Sequence, residues 1–399
     1  MKRVIARYSA GEPGPTVVLI GGLHGNEPAG AEAIAAVLLR MAAGELPLRG
    51  QVLGLAGNLG ALRARCRFQV RDLNRGWGAR EIAALASGPC RGDEAEDREQ
   101  REILDVLAPL LLAAREPIVF LDLHSTSGGG PPFTCMADVL RNRRIGLALP
   151  IPLILGIEEI LDGSLLGYLC DLGHIGVAVE GGQSQDPGTL ANHEAAIWIA
   201  LVAAGSLAAR AVPELAAHRA RLRQAARDLP PVIEIRHRHR VGDDDGFVMQ
   251  PGFRSFARVG EGQLLGRDNR GPVRAPESGL LLMPRYQSQG EDGYFLARPV
   301  SKSWLRLSAL LRRLRLDRLV PLLPGVRPHP VEPDQFVADP GMARFQVVNV
   351  FHLFGYRHVR PERERLVFAR RRADFRRLRG LPPEIVVLGA GVERDSESP

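Results

Sequence analysis

The first 210 residues alternate short apolar runs with longer Ala/Leu-rich stretches, and this alternation restricts the fold more than any other property of the chain. Thr16–Ile20 is a strand-sized β-branched run that Gly21-Gly22 breaks. Pro28 then stands near the start of a helical stretch reaching about Met41, as suits proline in a first helical turn. Gln51–Ala56, Pro117–Leu123 and Gly176–Val179 read as further strands. Asp93–Ala114 and Thr189–Ala209 read as helices. Strands and helices in turn predict an α/β unit with helices packed on a largely parallel sheet.

The pattern changes at Leu229-Pro230-Pro231. Short alternating runs between glycine-rich turns fill Val232–Val300 and predict a small β-rich module. From Ser301 the text becomes leucine- and arginine-rich, predicting a basic helical extension. The expected division is therefore 1–229, 230–300 and 301–399.

Charge follows the same division. Of 52 Lys+Arg only Lys2 and Lys302 are lysines, and the formal net charge is +7. Residues 301–399 hold 19 basic against 11 acidic residues, so residues 1–300 are almost neutral. The longest apolar run, Ile145 to Ile157, is broken by Pro150 and Pro152 and is too short to span a bilayer. No signal-peptide core is evident, and Cys66, Cys90, Cys135 and Cys170 lack C-x-x-C spacing. A reduced cytoplasm without membrane contact is expected. The arginine runs lack interleaved aromatics, which argues against nucleic acid. A docked helical extension is the simpler reading, with a homo-oligomer left open.

Two strand ends carry chemistry. Gly21-Gly22-Leu23-His24-Gly25-Asn26-Glu27 lies where a strand gives way to a helix, the side of an α/β sheet where ligands bind. Phe120-Leu121-Asp122-Leu123-His124-Ser125-Thr126 repeats that context. Two histidines and one carboxylate make a zinc set with a coordination position left for water. Asp122, two residues before His124, shares its strand face and suits a carboxylate that orients the ligand ring. Arg236-His237-Arg238-His239-Arg240 also puts two histidines on one face, but without carboxylates or cysteines it reads as a solvated strand.

With Arg67-Phe68-Gln69-Val70-Arg71-Asp72-Leu73-Asn74-Arg75 and Val177-Ala178-Val179-Glu180-Gly181-Gly182-Gln183, these blocks resemble the succinylglutamate desuccinylase/aspartoacylase family, relatives of the zinc carboxypeptidases. The resemblance covers about residues 15–300. It implies a zinc-carboxypeptidase-like mixed α/β sheet flanked by helices. By position it makes His24, Glu27 and His124 ligands of one Zn²⁺ ion. Arg67 would polarise the scissile carbonyl, Asn74 and Arg75 would hold the substrate carboxylate, and Glu180 would be the general base. Zinc lowers the pKa of bound water, and a positioned arginine stabilises an oxyanion, so the roles fit the residue types. Arg71 and Asp72 stay open between supporting the site residues from behind and forming a local salt bridge, the latter being the simpler reading. A catalytic tyrosine is also implied, with Tyr294 the best positional match and Tyr286 the second.

One departure bears on the substrate. Relatives acting on acylated aspartate carry an arginine about ten residues before the general base, where this chain has Cys170. No Lys or Arg occurs between Arg144 and Arg210, so a doubly acidic amino acid is a poor substrate unless an arginine enters from elsewhere. Leu165, Leu166 and Leu169 read equally as pocket or core. The expected activity is a zinc-dependent deacylase cleaving the amide of an N-acyl amino acid or similar small carboxylate. The alternatives are a zinc carboxypeptidase on short peptides, or a non-catalytic relic of the metal site with a polyanion-binding tail.

Overall fold

The computed structural model describes residues 1–86, 94–330, 335–338, 347–359, 366–370 and 378. Cys90 and the arginines at 371, 372, 376, 377 and 379 lie outside the described residues. The strands of the α/β part are β1 Val4–Ser9, β2 Glu12–Gly21, β3 Arg49–Ala56, β4 Val119–Thr126, β5 Phe133–Cys135, β6 Leu153–Leu155 and β7 Ile175–Gln183. Then follow β8 Val232–Arg240, β9 Val248–Met249, β10 Ala257–Val259, β11 Leu264–Asp268, β12 Gly271–Arg274, β13 Gly279–Leu282 and β14 Asp292–Pro299. The helices among them are α1 Ala29–Ala43, α2 Leu59–Ala64, α3 Ala79–Ala86, α4 Ala95–Ala113, α5 Leu140–Gly146, α6 Leu165–Asp171, α7 Pro187–Ala204 and α8 Leu215–Ala225.

One mixed sheet of 11 strands runs β1-β3-β2-β4-β7-β5-β6-β8-β14-β13-β10. Its centre, β3-β2-β4-β7, is parallel, as the alternation of elements predicts. β5 joins β7 antiparallel, and β6 and β8 carry the sheet onward, so the strands after residue 230 extend it rather than start afresh. A three-stranded sheet, β12-β11-β9, packs beside that end.

The centre is buried on both faces. Val17 and Leu19 of β2 point to one core with α1 and α7, while Val18 and Ile20 point to a second with α4 and α6. Every residue of β4 is buried, including Asp122 and His124, which places both ionisable groups where water cannot solvate them. Such groups persist only when paired or hydrogen-bonded.

The extension adds α9 Lys302–Arg313 and α10 Val347–Leu353. Beyond these helices it carries a four-stranded antiparallel sheet of Val326–Pro328, Gln335–Ala338, Leu366–Arg370 and Tyr356–Val359. α9 docks on the α/β part through Arg312, which is fully buried and donates to the Asp138 carboxylate (3.1 Å) and carbonyl (2.7 Å). Arg143 grips the same carboxylate at 2.7 and 2.9 Å and donates to the Leu305 carbonyl. Part of the basic excess is thereby structural.

Candidate metal centre and substrate cavity

The loop after β2 is shaped by its glycines. Gly22 takes φ +75°, a conformation that side chains rarely adopt, and a Cβ on Gly25 would lie 2.0 Å from the α2 backbone. This close seating turns His24 and Glu27 toward the end of β4, where His124 stands. Candidate ligand atoms of the three buried residues lie within 4.8 Å of one another.

The hydrogen-bond pattern then makes a specific demand. His24 Nε2 lies 3.2 Å from Asp72 Oδ1, and His124 Nε2 lies 2.8 Å from Asp122 Oδ2. With each Nε2–H donated to its aspartate, each Nδ1 presents a lone pair. Those Nδ1 atoms face the two Glu27 oxygens at 3.0 and 3.1 Å. Acceptor facing acceptor requires positive charge between them, a proton on each ring or one cation shared by all three side chains. Two imidazoles and a carboxylate, each ring backed by a second carboxylate, are a donor set that fits zinc.

The electrostatics agree. Burial pushes the Glu27 carboxyl up, but His24 and His124 outweigh it and hold it well below the usual range. Burial opposes charge on His124, yet Asp122 and Glu27 hold its pKa well above that of free imidazole. Asp72 is likewise held low, against its burial, by His24 and Arg67. Glu180 differs: burial, with Glu27 nearby, pushes it up to about 7, and its Oε2 is buried without a hydrogen-bond partner.

Around this cluster opens a cavity of about 180 Å³ lined by His24, Glu27, Arg67, Asn74, Arg75, His124 and Glu180. Seven residues singled out in the sequence thus meet in one place. Arg67 donates to Asp72 at 3.0 and 3.2 Å and approaches Glu27 at 3.5 Å. Arg75 donates to Asp292 at 3.1 Å and to the Asn74 carbonyl at 2.9 Å, while its buried Nε has no partner. Asn74 accepts from the backbone N–H of Leu165 at 2.9 Å, tying this loop to the first residue of α6.

Tyr294 is placed elsewhere. Successive strand residues point to opposite faces, and on β14 it is Phe295 that lines the cavity. Tyr294 packs on the far face, stacked on His239 with ring centroids 4.9 Å apart, and burial pushes its hydroxyl up to about 12. Tyr286 also stands off the cavity lining: its hydroxyl donates to the Gln250 carbonyl and accepts from Phe253 N–H. His237 and His239 share the face of Tyr294, whereas Arg238 points the other way and donates to Asp292 at 2.6 Å.

Asp72 fills both roles open to it from the sequence, pairing with Arg67 and contacting His24 as Asp122 does His124. Glu96, Gln289 and Arg285 were not found by sequence reasoning. Glu96, fully buried in the first turn of α4, accepts from the backbone N–H groups of Gln69, Val70 and Arg71 at 2.7, 3.0 and 3.2 Å. Gln289, between β13 and β14, accepts from Arg67 N–H and donates to the Phe68 carbonyl, both at 3.0 Å. The first turn of α4 and the β13–β14 loop thus hold the arginine loop from two sides. Arg285 of that loop also reaches the cavity, with its guanidinium donating to the Gln287 and Ser288 carbonyls. An acidic first helical turn was the only signal for Glu96, and it is indistinguishable from ordinary helix-dipole complementation.

Comparison with known proteins follows the geometry. Residues 13–150 match the model of the succinylglutamate desuccinylase/aspartoacylase catalytic domain. A succinylglutamate desuccinylase of Photorhabdus laumondii is 41% identical over 67 residues, 17% of this chain and 21% of that protein. One from Yersinia pestis is 40% identical over 114 residues, 29% of this chain and 33% of that protein. These matches therefore span a fifth to a third of the curated relatives' length. The crystal structure of succinylglutamate desuccinylase from Vibrio cholerae aligns with a TM-score of 0.53 at 16% identity, covering 73% of this chain and 83% of that one. That from Chromobacterium violaceum aligns at 0.51 and 20% identity, covering 74% and 88%, and such likeness speaks for the fold. With the motifs in register on that fold, residues 13–150 of this chain carry the pattern of the succinylglutamate desuccinylase/aspartoacylase catalytic domain.

Proposed function

We propose that this protein is a zinc-dependent deacylase that hydrolyses the amide of an N-acyl amino acid or similar small carboxylate. The observation that carries this reading is the pair of Nδ1 atoms facing Glu27 with both Nε2 atoms held by aspartates. A zinc ion held by His24, Glu27 and His124 would supply a Lewis acid and lower the pKa of water toward neutrality.

The chain's own residues account for the rest of the chemistry. Arg75, with its unpartnered Nε, and Asn74 hold the substrate carboxylate, where a planar guanidinium suits two-point capture. Arg67 faces the scissile carbonyl and stabilises the negative charge that develops on its oxygen. Glu180, whose free oxygen lies buried in the cavity, takes a proton from water and returns it to the departing amine nitrogen. Asp72 and Asp122 fix the tautomer and angle of the two imidazoles. We assign no role to Tyr294. A cavity of about 180 Å³ favours one small substrate over a peptide. The division at residues 229 and 300 and a reducing, cytoplasmic setting, with Cys66, Cys135 and Cys170 as free thiols, belong to the same proposal.

The test is metal analysis of the purified chain together with hydrolysis of N-acyl amino acids, with and without chelator. Wild type is expected to carry about one zinc per chain. His24→Ala should lose both metal and activity, whereas Glu180→Gln should keep the metal and lose about 10²–10⁴-fold in kcat. Activity unchanged in both variants would sink the catalytic reading.

A further inference from the structure

Beyond the metal cluster the cavity changes character. Glu180, Ala178 and Gly176 alternate along one face of β7 and all line it, so the strand presents a carboxylate and then two residues with almost no side chain. Space is left over the strand where bulk is missing. The wall of that space comes from α6. Leu166, Gly167 and Cys170 line it, while Leu165 and Leu169, rotated away on the same helix, belong to the core shared with α4. Cys135 pairs with Ala178 from the neighbouring strand, and Phe295 and Leu161 close the far side.

The charges are distributed to one side. Arg67 and Arg75 are tied to Asp72 and Asp292, and Arg285 to carbonyls of its own loop. At the α6 end the carboxylic side chain in the lining is Glu158, whose Oε1 accepts from Asp138 N–H at 3.2 Å. Burial keeps both thiols there protonated, Cys170 with a pKa of about 12 and Cys135 well above its usual value. Among the described residues an acidic group entering this end meets Glu158, hydrocarbon and neutral thiols, while the lining arginines Arg67, Arg75 and Arg285 are already held by other partners, so its desolvation is poorly compensated.

The position of this pocket relative to the carboxylate holder decides what occupies it. Asn74 is hydrogen-bonded to the first residue of α6, so the carboxylate subsite adjoins the apolar wall directly. In an N-acyl amino acid one carbon bears the carboxylate, the amide nitrogen and the side chain, so with the amide turned to the His24–Glu27–His124 cluster the group left beside the captured carboxylate is the side chain. We infer that the pocket formed by Leu166, Cys170, Ala178, Cys135, Leu161 and Phe295 receives an apolar amino-acid side chain, making N-acyl derivatives of leucine-, methionine- or phenylalanine-like amino acids the substrate class. This rests on the deacylase reading for its chemistry but not for its pocket.

The experiment compares N-acetyl-leucine, N-acetyl-methionine and N-acetyl-phenylalanine with N-acetyl-aspartate, N-acetyl-glutamate and N-succinyl-glutamate on the full chain. The apolar substrates should exceed the acidic ones in kcat/KM by about 100-fold or more. Acidic substrates cleaved as well or better would overturn the inference and leave the deacylase intact. If no substrate is cleaved, the deacylase reading falls, and calorimetric binding of free leucine and free glutamate decides the pocket alone. Tighter leucine binding supports it; equal, reversed or absent binding overturns it. Cys170→Arg should move the leucine-to-glutamate preference toward glutamate by about 100-fold, and an unchanged ratio counts against the pocket. Should that variant fail to fold, Ala178→Val, which narrows the floor, should lower the preference for N-acetyl-phenylalanine over N-acetyl-alanine about tenfold.

Discussion

At the end of the cavity that holds the His24–Glu27–His124 cluster, polar atoms of Glu27, Asp72, Asp122, His24, His124 and Arg67 approach one another at 2.8–3.5 Å. At the α6 end, Leu166, Cys170, Ala178 and Phe295 touch mainly hydrocarbon and sulfur. The first end is built from groups that water would otherwise solvate, so each is held by several partners and tolerates little change. The second is built from packing, where size and polarity can be altered stepwise. Under the function proposed above, reaction type belongs to the first end and substrate choice to the second.

That contrast can be broken or sharpened by variants at each end. Asp72→Asn and Asp122→Asn remove the carboxylates behind the histidines and should each weaken zinc affinity about 10–100-fold, read by competition with a chromophoric chelator. An undiminished affinity would show that the rings need no support. Leu166→Ala should leave zinc affinity where it is and lower kcat/KM for an N-acyl leucine by about tenfold, from the lost apolar contact. A loss of metal in this variant would mean that the two ends are not separable.

Smaller effects concern what holds the two ends in place. Glu96→Gln keeps the shape of the side chain but replaces a charged acceptor of three backbone N–H groups. It should cost about 2 kcal/mol in denaturant unfolding and raise KM through a looser arginine loop. An unaltered KM with full stability loss would confine Glu96 to folding. His174, outside the cavity lining, accepts from Ile118 N–H, and burial with Arg141 nearby lowers its pKa to about 4. The unfolded chain protonates this ring near pH 6.5, so between about pH 6.5 and 4 the unfolded state binds more protons and stability falls as pH falls. His174→Asn, which retains an acceptor, should flatten that part of the unfolding curve by about 2 kcal/mol or less. A slope identical to wild type would assign the acid sensitivity to other groups.

How much of this was legible depends on the range of the contact. His24 and Glu27 are three residues apart in one loop, and His124 follows Asp122 on one strand, so local periodicity was enough to place them. The arginine loop could be read as a motif, but its supports could not. Glu96 lies 25–27 residues from the amides it binds, and Gln289 lies 222 residues from Arg67. Tyr294 shows the limit of positional matching. A one-residue difference along β14 chooses the face, and the side turned toward the cavity carries Phe295. Leu165, Leu166 and Leu169 look alike in the chain, and the rotation of α6 alone separates the cavity-lining one from the two in the core.

The amino-acid sequence by itself determined the alternating α/β order, the two histidine-bearing strand ends and the absence of Lys and Arg from 145 to 209. These are properties of single segments, where hydrophobic period and glycine placement act locally. Only the tertiary structure decided that His24 is backed by Asp72, that Glu180 retains an unpartnered oxygen, and that Leu166, Cys170, Ala178 and Phe295 line one cavity with Asn74 and Arg75. The physical reason is that desolvation and pairing are set by neighbours brought together from distant segments, and no local pattern encodes them.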